Sequence, residues 1–196
     1  MITDDAGRRR GSEPSGEGGG SRPGSDPSGP GGGEPRLSHL DESGRARMVD
    51  VSEKPVSRRV AEAEGSIAMK RETLAAIGSG ATPKGDVLAV ARLAAIGGAK
   101  RTAELIPLCH PLPLDVVDVV VEADEELPGL RVRVRASAEA RTGVEMEAMC
   151  AVAAGLLAVY DMCKGIDRGM SIGPIRLLTK RGGTSGSWTA PAEDQD

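Results

Sequence analysis

Five short stretches of the 196-residue chain carry ionisable groups in spacings that suit proton transfer or phosphate contact, each where one element gives way to another. Pro83-Lys84-Gly85-Asp86 turns into an apolar-periodic run. Asp86 there is a first-turn charge of the kind a helix N-terminus favours, and Lys84 is either an ordinary loop lysine or a site cation. Leu108-Cys109-His110-Pro111 lies between prolines, and a rigid loop presenting an imidazole suits proton transfer or phosphate contact near neutrality. A satisfied structural histidine fits His110 equally well, and Cys109 reads better as a small buried hydrophobe than as a nucleophile.

Thr142-Gly143-Val144-Glu145-Met146-Glu147 matches the capping-box pattern at Thr142 and Glu145, which by itself would explain Glu145 but not Glu147. Two carboxylates this close can hold each other's pKa values apart, as acid-base chemistry requires, although exposed pairs are the commoner case. Asp161 and Lys164, in Tyr160-Asp161-Met162-Cys163-Lys164, are three apart and share a helix face. They form either a surface ion pair of little consequence or a carboxylate tuning a lysine acid. Lys180-Arg181-Gly182-Gly183 is a basic strand end whose successive backbone N–H groups could cradle phosphate, or simply the start of a tail. Metal ligation is not expected, because His39 and His110 are the only histidines and ligand spacings are absent.

The elements that must position these groups follow from the periodicity. Residues 57–69 alternate in part and predict a strand, and 70–77 are helix formers stopped by Gly78, Gly80 and Pro83. Residues 85–105 place Val87, Leu88, Ala91, Ala94, Ala95, Ala99 and Leu105 at helical spacing and predict one long helix, ended by Pro107, Pro111 and Pro113. Residues 114–123 and 130–140 predict a hairpin about Pro128-Gly129, its second strand alternating Arg131, Arg133 and Arg135 with Val132 and Val134 and so wet on one face. Thr142 opens a second long helix to about Lys164, and 171–180 return to a strand. The order β-α-β-β-α-β, with an extra short helix, predicts an α+β, ferredoxin-like antiparallel sheet covered on one face by helices.

Composition bounds the function. Met1–Arg36 holds 11 Gly, 5 Pro and 5 Ser with almost nothing apolar, so a disordered tail is expected there, a folded domain over 37–188 and a second tail over 189–196. A formal charge of -4 and only one Tyr and one Trp argue against an RNA-binding sheet, which needs a basic field and stacking rings. Three scattered cysteines without a CxxC pair fit reduced thiols and a cytoplasmic address. The longest uncharged stretch, 148–160, is short for a membrane span and the N-terminus has no apolar signal core, so neither insertion nor export is expected.

KGDVLAVARLAAIGGAKRTAELIPLCHPL, RTGVEMEAM, YDMCK and IGPIRLLTKRGGTSG, in this order, resemble the cyclic pyranopterin monophosphate synthase family of molybdenum-cofactor biosynthesis. RMVDVS near Met48 and Arg59 extend the resemblance over about 37–188. It implies a lyase that converts a cyclised dihydro-GTP into cyclic pyranopterin monophosphate with release of diphosphate, needing no metal or organic cofactor. It also implies a homo-oligomer, a hexamer built as a trimer of dimers, and no nucleic-acid or membrane partner. Carried over by position, substrate binding falls on Leu108, Cys109, His110, Met146 and Glu147, the catalytic aspartate on Asp161, and site lysines on Lys84, Lys164 and Lys180, with Glu145 and Arg59 completing the set. The rival reading is a noncatalytic module of the same fold that senses a small ligand. Because about 14 helical residues separate Glu147 from Asp161, roughly 21 Å at the α-helical rise, one chain is expected to hold two poles of the site and a neighbouring subunit to complete each.

Overall fold

The computed structural model describes residues 43–191, and all that follows concerns them. The tail read over Met1–Arg36 lies outside the described residues, as do residues 192–196. The domain runs β1 (Ser57–Ala68), α1 (Arg71–Gly78), α2 (Val87–Lys100), α3 (Thr102–Leu105), β2 (Val116–Asp124), β3 (Gly129–Ala140), α4 (Glu145–Cys163), β4 (Ser171–Ile172), β5 (Arg176–Arg181) and β6 (Trp188–Thr189). Strands pair in the order β2-β3-β1-β5-β6, with β4 on the end of β1, and every pairing is antiparallel. The stretch β5-β1-β3-β2 is the ferredoxin-like order that the element sequence implied.

The alternation of β1 and β3 decides which face is covered. Ala61, Ala63 and Ile67 lie opposite Ala136, Val134 and Leu130 on the face that α4 covers, with α2 packed beside it over β2, while Glu62, Glu64 and Arg131, Arg133, Arg135 point the other way. That second face is an ion-pair network: Glu64, only 4% exposed, lies within 4 Å of Arg131, Arg133 and Arg176, and Arg135 bridges Glu62 and Asp118. With almost no rings available, the core is filled by Ala, Val, Leu and Ile, and small residues let α2 and α4 touch. A methyl group on Gly98 would sit 2.6 Å from the Ala154 Cβ, and Gly155 faces Ala91 and Ala95.

Four expectations change. The helix read over 85–105 breaks at Arg101, whose φ of -112° and ψ of 16° are not helical, so α3 is a separate turn. There the Thr102 hydroxyl turns back to donate to the Gly98 and Ala99 carbonyls, the local competition that bends helices. The capping box does not form: α4 starts at Glu145, its N-cap is Val144, and no side chain caps it. The final strand is two pieces, β4 and β5, because Gly173 and Pro174 interrupt it. Thr189 is not tail but a strand residue, opposite Thr179.

Helix α4 is long and apolar enough, by length and composition, to cross a membrane, which the uncharged-stretch criterion did not catch. It packs as a core helix against α2, β1 and β3, burying Ala148, Ala151, Val152, Leu156 and Val159 completely.

Candidate active site

Where β1 begins, β3 and β5 end and α4 begins, the loops enclose two adjoining chambers. The larger, of about 490 Å³, is lined by Lys54, Arg59, Arg141, Lys180 and Arg181, with Glu145 the sole carboxylate on its wall. The smaller, of about 380 Å³, is lined by Leu108, Cys109, His110, Met146, Glu147 and the Val49-Val51 strap. Lys54, Thr142, Gly143 and Glu145 belong to both, so the two chambers form one cleft.

Arg59 is held firmly. It is 9% exposed, its Nε donates to the Ala140 carbonyl at 3.2 Å and its Nη2 to the Arg141 carbonyl at 3.3 Å. Gly182 and Gly183 have φ of 97° and 79°, the left-handed region that favours glycine, and a Cβ on Gly183 would run into the Arg59 guanidinium. The basic strand end is therefore a bend shaped to admit an arginine. Lys180 reaches Ser185 Oγ at 2.6 Å and Glu145 Oε1 at 3.7 Å.

In the smaller chamber Glu147 is 4% exposed, and burial, with the neighbouring Glu145 charge adding to it, pushes its carboxyl up to about 7. A carboxyl poised there exists in both forms at neutral pH and can donate or accept a proton. Burial, and then the Glu147 charge, pushes the Cys109 thiol up, so Cys109 stays a neutral thiol, in keeping with its reading as a small hydrophobe. Asp50, on the strap, is held below the usual carboxylate range by the Ser52 backbone and side chain, and the nearby charges of Arg47 and His110 also lower it.

The other pole lies at the far end of α4. Asp161 accepts from Lys164 at 2.6 Å and from Lys84 at 2.7 Å, and Lys84 also donates to the Asp161 carbonyl. Lys84 arrives there because Asp86 caps α2, accepting from the Ala89 amide, which starts that helix beside the end of α4. The two ammonium groups, Lys164 first, hold the Asp161 carboxyl at about 2, and Asp161 in turn raises Lys164. Two cations on one carboxylate leave a net positive cluster, half exposed to solvent.

The chain thus brings together Arg59, Leu108, Cys109, His110, Glu145, Met146, Glu147 and Lys180 at one pole and Lys84, Asp161 and Lys164 at the other, and it does not bring the two groups to each other. Lys54, Arg141 and the strap were missed as wall residues. Their one local signal is the Asx-type turn in which the Ser52 amide donates to Asp50 Oδ1, a residue pair that the sequence does show. Among the described residues no group of three or more His, Cys, Asp or Glu side chains is arranged to hold a metal ion.

The MoaC family matches residues 48–183. A cyclic pyranopterin monophosphate synthase of Cereibacter sphaeroides (strain KD131 / KCTC 12085) is 57% identical over 156 residues, covering 80% of this chain and 98% of its own length. Proteins of the same name from Thermomicrobium roseum and Brucella ovis are 57% and 56% identical, each covering 78% of this chain and 92% and 93% of their own.

Proposed function

The chain belongs to the MoaC family, and from that premise we propose that it is a lyase of molybdenum-cofactor biosynthesis that converts a cyclised dihydro-GTP into cyclic pyranopterin monophosphate and diphosphate. The observation that carries this reading is the two-part cleft: a chamber walled by five cations adjoins one walled by His110, Glu147 and apolar side chains. A nucleoside triphosphate has that division of character. Arg59, Lys180 and their neighbours take the phosphate oxygens, and Leu108, Cys109, Met146 and Glu147 hold the purine-derived ring by shape and hydrogen bonds where no aromatic platform is present.

The reaction opens one ring, closes another and expels diphosphate, so it needs proton delivery as well as charge support. Lys164 delivers the proton, Asp161 orients it, and Lys84 shares the carboxylate. In the resting arrangement Asp161 holds the Lys164 proton tightly. The substrate must displace that ion pair before the proton moves. Since about 21 Å of helix separates Glu147 from Asp161, each complete site takes its two poles from different subunits. The working form is a homohexamer, a trimer of dimers, and the free thiols of Cys109, Cys150 and Cys163 support a cytoplasmic, reducing setting.

Purified protein given the cyclised dihydro-GTP releases diphosphate; tight binding without release would instead favour a sensing module. Mixing Lys164→Ala with Glu147→Ala under subunit exchange restores part of the rate, because each hybrid dimer holds one intact site. Confirmed hybrids with no recovery would put all the groups in one chain.

A further inference from the structure

Lys84 reaches Asp161 from a loop, and the loop must be held for it to do so. Its ammonium donates to the Asp161 carbonyl at 3.0 Å and to Oδ2 at 2.7 Å, yet Lys84 lies in no helix or strand and its side chain is half exposed. A long side chain on a free loop would give up much conformational entropy to keep two bonds to one residue. The device that holds this loop is Thr82. Among residues 78–86 it is the only one that is buried, at 8% exposed. The Gly85 amide donates to the Thr82 carbonyl at 3.2 Å, which makes residues 82–85 a turn with Pro83 and Lys84 at its centre. The Thr82 hydroxyl donates to the Gly85 carbonyl, so the same two residues are joined a second time and in the opposite direction. That second bond acts where the backbone is freest. Gly85 has a φ of 90°, in the left-handed region that glycine enters without steric cost, and its carbonyl belongs to the peptide that leads into Asp86, the cap of α2. Without the hydroxyl that peptide can rotate, and the turn carrying Lys84 moves with it.

We infer that Thr82 is a positioning residue for the cluster at this pole: its buried hydroxyl clamps the turn that keeps the Lys84 ammonium on Asp161. The inference rests on the reading of Lys84, Asp161 and Lys164 as the groups that deliver the proton, and it adds what places the first of them. Thr82 bonds to none of these side chains and acts through the backbone. Asp161 and Lys164 are neighbours through the geometry of the end of α4, whereas Lys84 is 77 residues from Asp161 in the chain, so the turn sets its approach. A displacement of about 1 Å in a reacting group can cost on the order of a hundredfold in rate. A turn that is loosened rather than lost should cost less. The loss falls on kcat, because the two chambers that take ring and phosphates lie at the other pole and are left as they were.

The test sets Thr82→Val, which keeps the shape and removes the donor, against Thr82→Ser, which keeps the donor. Diphosphate release from the cyclised dihydro-GTP is followed in the full chain at a temperature where wild type and both variants are folded. Lysine labelling by acetic anhydride, read by mass spectrometry without substrate, is measured beside it. Thr82→Val is expected to lower kcat about tenfold with KM changed by no more than about twofold. It should also raise labelling of Lys84 several-fold relative to Lys54 and Lys180, since an ammonium that leaves its carboxylate is open to the reagent. Thr82→Ser should return both readings to near wild type. A kcat for Thr82→Val within about twofold of wild type would overturn the inference while leaving the lyase reading intact. So would unchanged labelling of Lys84, or a loss of rate that serine does not repair, since either assigns Thr82 a merely structural role. Wild-type protein that releases no diphosphate would overturn the lyase reading itself, and the labelling of Lys84 would then decide by itself whether Thr82 places it.

Discussion

The two poles of the chain are built on opposite physical terms. Around Arg59 and Glu147 the groups are 9% and 4% exposed, held by backbone carbonyls, by a glycine bend and by the close of a β-sheet. Around Asp161 three side chains, each about half exposed, hold only one another, together with the Asp161 carbonyl. The first pole is a finished pocket whose positions follow from the fold. The second is a half-exposed cluster, and exposed ion pairs of this kind contribute little to stability and are screened by salt. What separates them is desolvation. Burial has moved Glu147 to about 7, whereas Asp161 is moved to about 2 by its partners alone. A cluster in water becomes a site only when something covers it, which is why the shared-subunit arrangement belongs to the proposed function.

The sharpest break in the comparison comes at the exposed pole. Lys164→Ala should cut kcat by roughly a hundredfold to ten-thousandfold if it is the proton donor, with melting temperature unchanged, since the pair it leaves is on the surface. Stopped turnover with a large loss of stability would move Lys164 from chemistry to structure.

At the buried pole the expected damage is structural first. Gly183→Val puts a β-branched residue at a φ of 79° and drives its Cβ into the Arg59 guanidinium. Backbone strain of about 1–3 kcal/mol should appear in denaturant midpoints, together with about a tenfold loss of diphosphate affinity as Arg59 moves. Unchanged diphosphate affinity would show that Arg59 does not hold phosphate.

Glu147 gives a pH test with a definite sign. Its folded-state value of about 7 lies above the ordinary 4.5. Below about pH 4 the group is protonated in both states and costs nothing. As pH rises from there through about 7, the unfolded chain ionises while the folded one resists, so stability falls by up to about 3 kcal/mol. Glu147→Gln should flatten that decline, and urea midpoints at pH 5 and pH 8 would measure it. An equal decline in the variant would assign it to other groups.

The smallest effect is expected at Thr142. Because no side chain caps α4, Thr142→Ala should leave the melting temperature unchanged, where a lost cap would have cost about 1 kcal/mol. A clear drop would restore the capping box.

Much of this was legible along the chain. Alternation in β3 assigned its covered and uncovered faces, because the strand period of 2 leaves no choice once one face is apolar, and the antiparallel register carries that choice to β1. The apolar periodicity located α2 and α4, and the order of elements implied the sheet. The length of α4 alone already put Glu147 and Asp161 too far apart for one small molecule. The stretches that meet at the two poles were visible as well, since each departs in charge and breaker content from the run beside it. Tertiary structure decided the rest. Whether Thr142 caps a helix depends on the path by which β3 enters α4, and whether residues 85–105 stay straight depends on how Thr102 competes for the Gly98 and Ala99 carbonyls. Glu145 and Glu147 look alike in the sequence, two residues apart, yet one borders Lys180 and the other is 4% exposed and titrates near neutrality. Lys54 carried no mark of its own, because a lysine becomes a boundary between two chambers only when strands distant in the chain close around it. Local pattern reports what a residue is and which way its backbone runs; desolvation and counter-charge are set by neighbours far away in sequence, and those two quantities turn an ionisable side chain into a functional one.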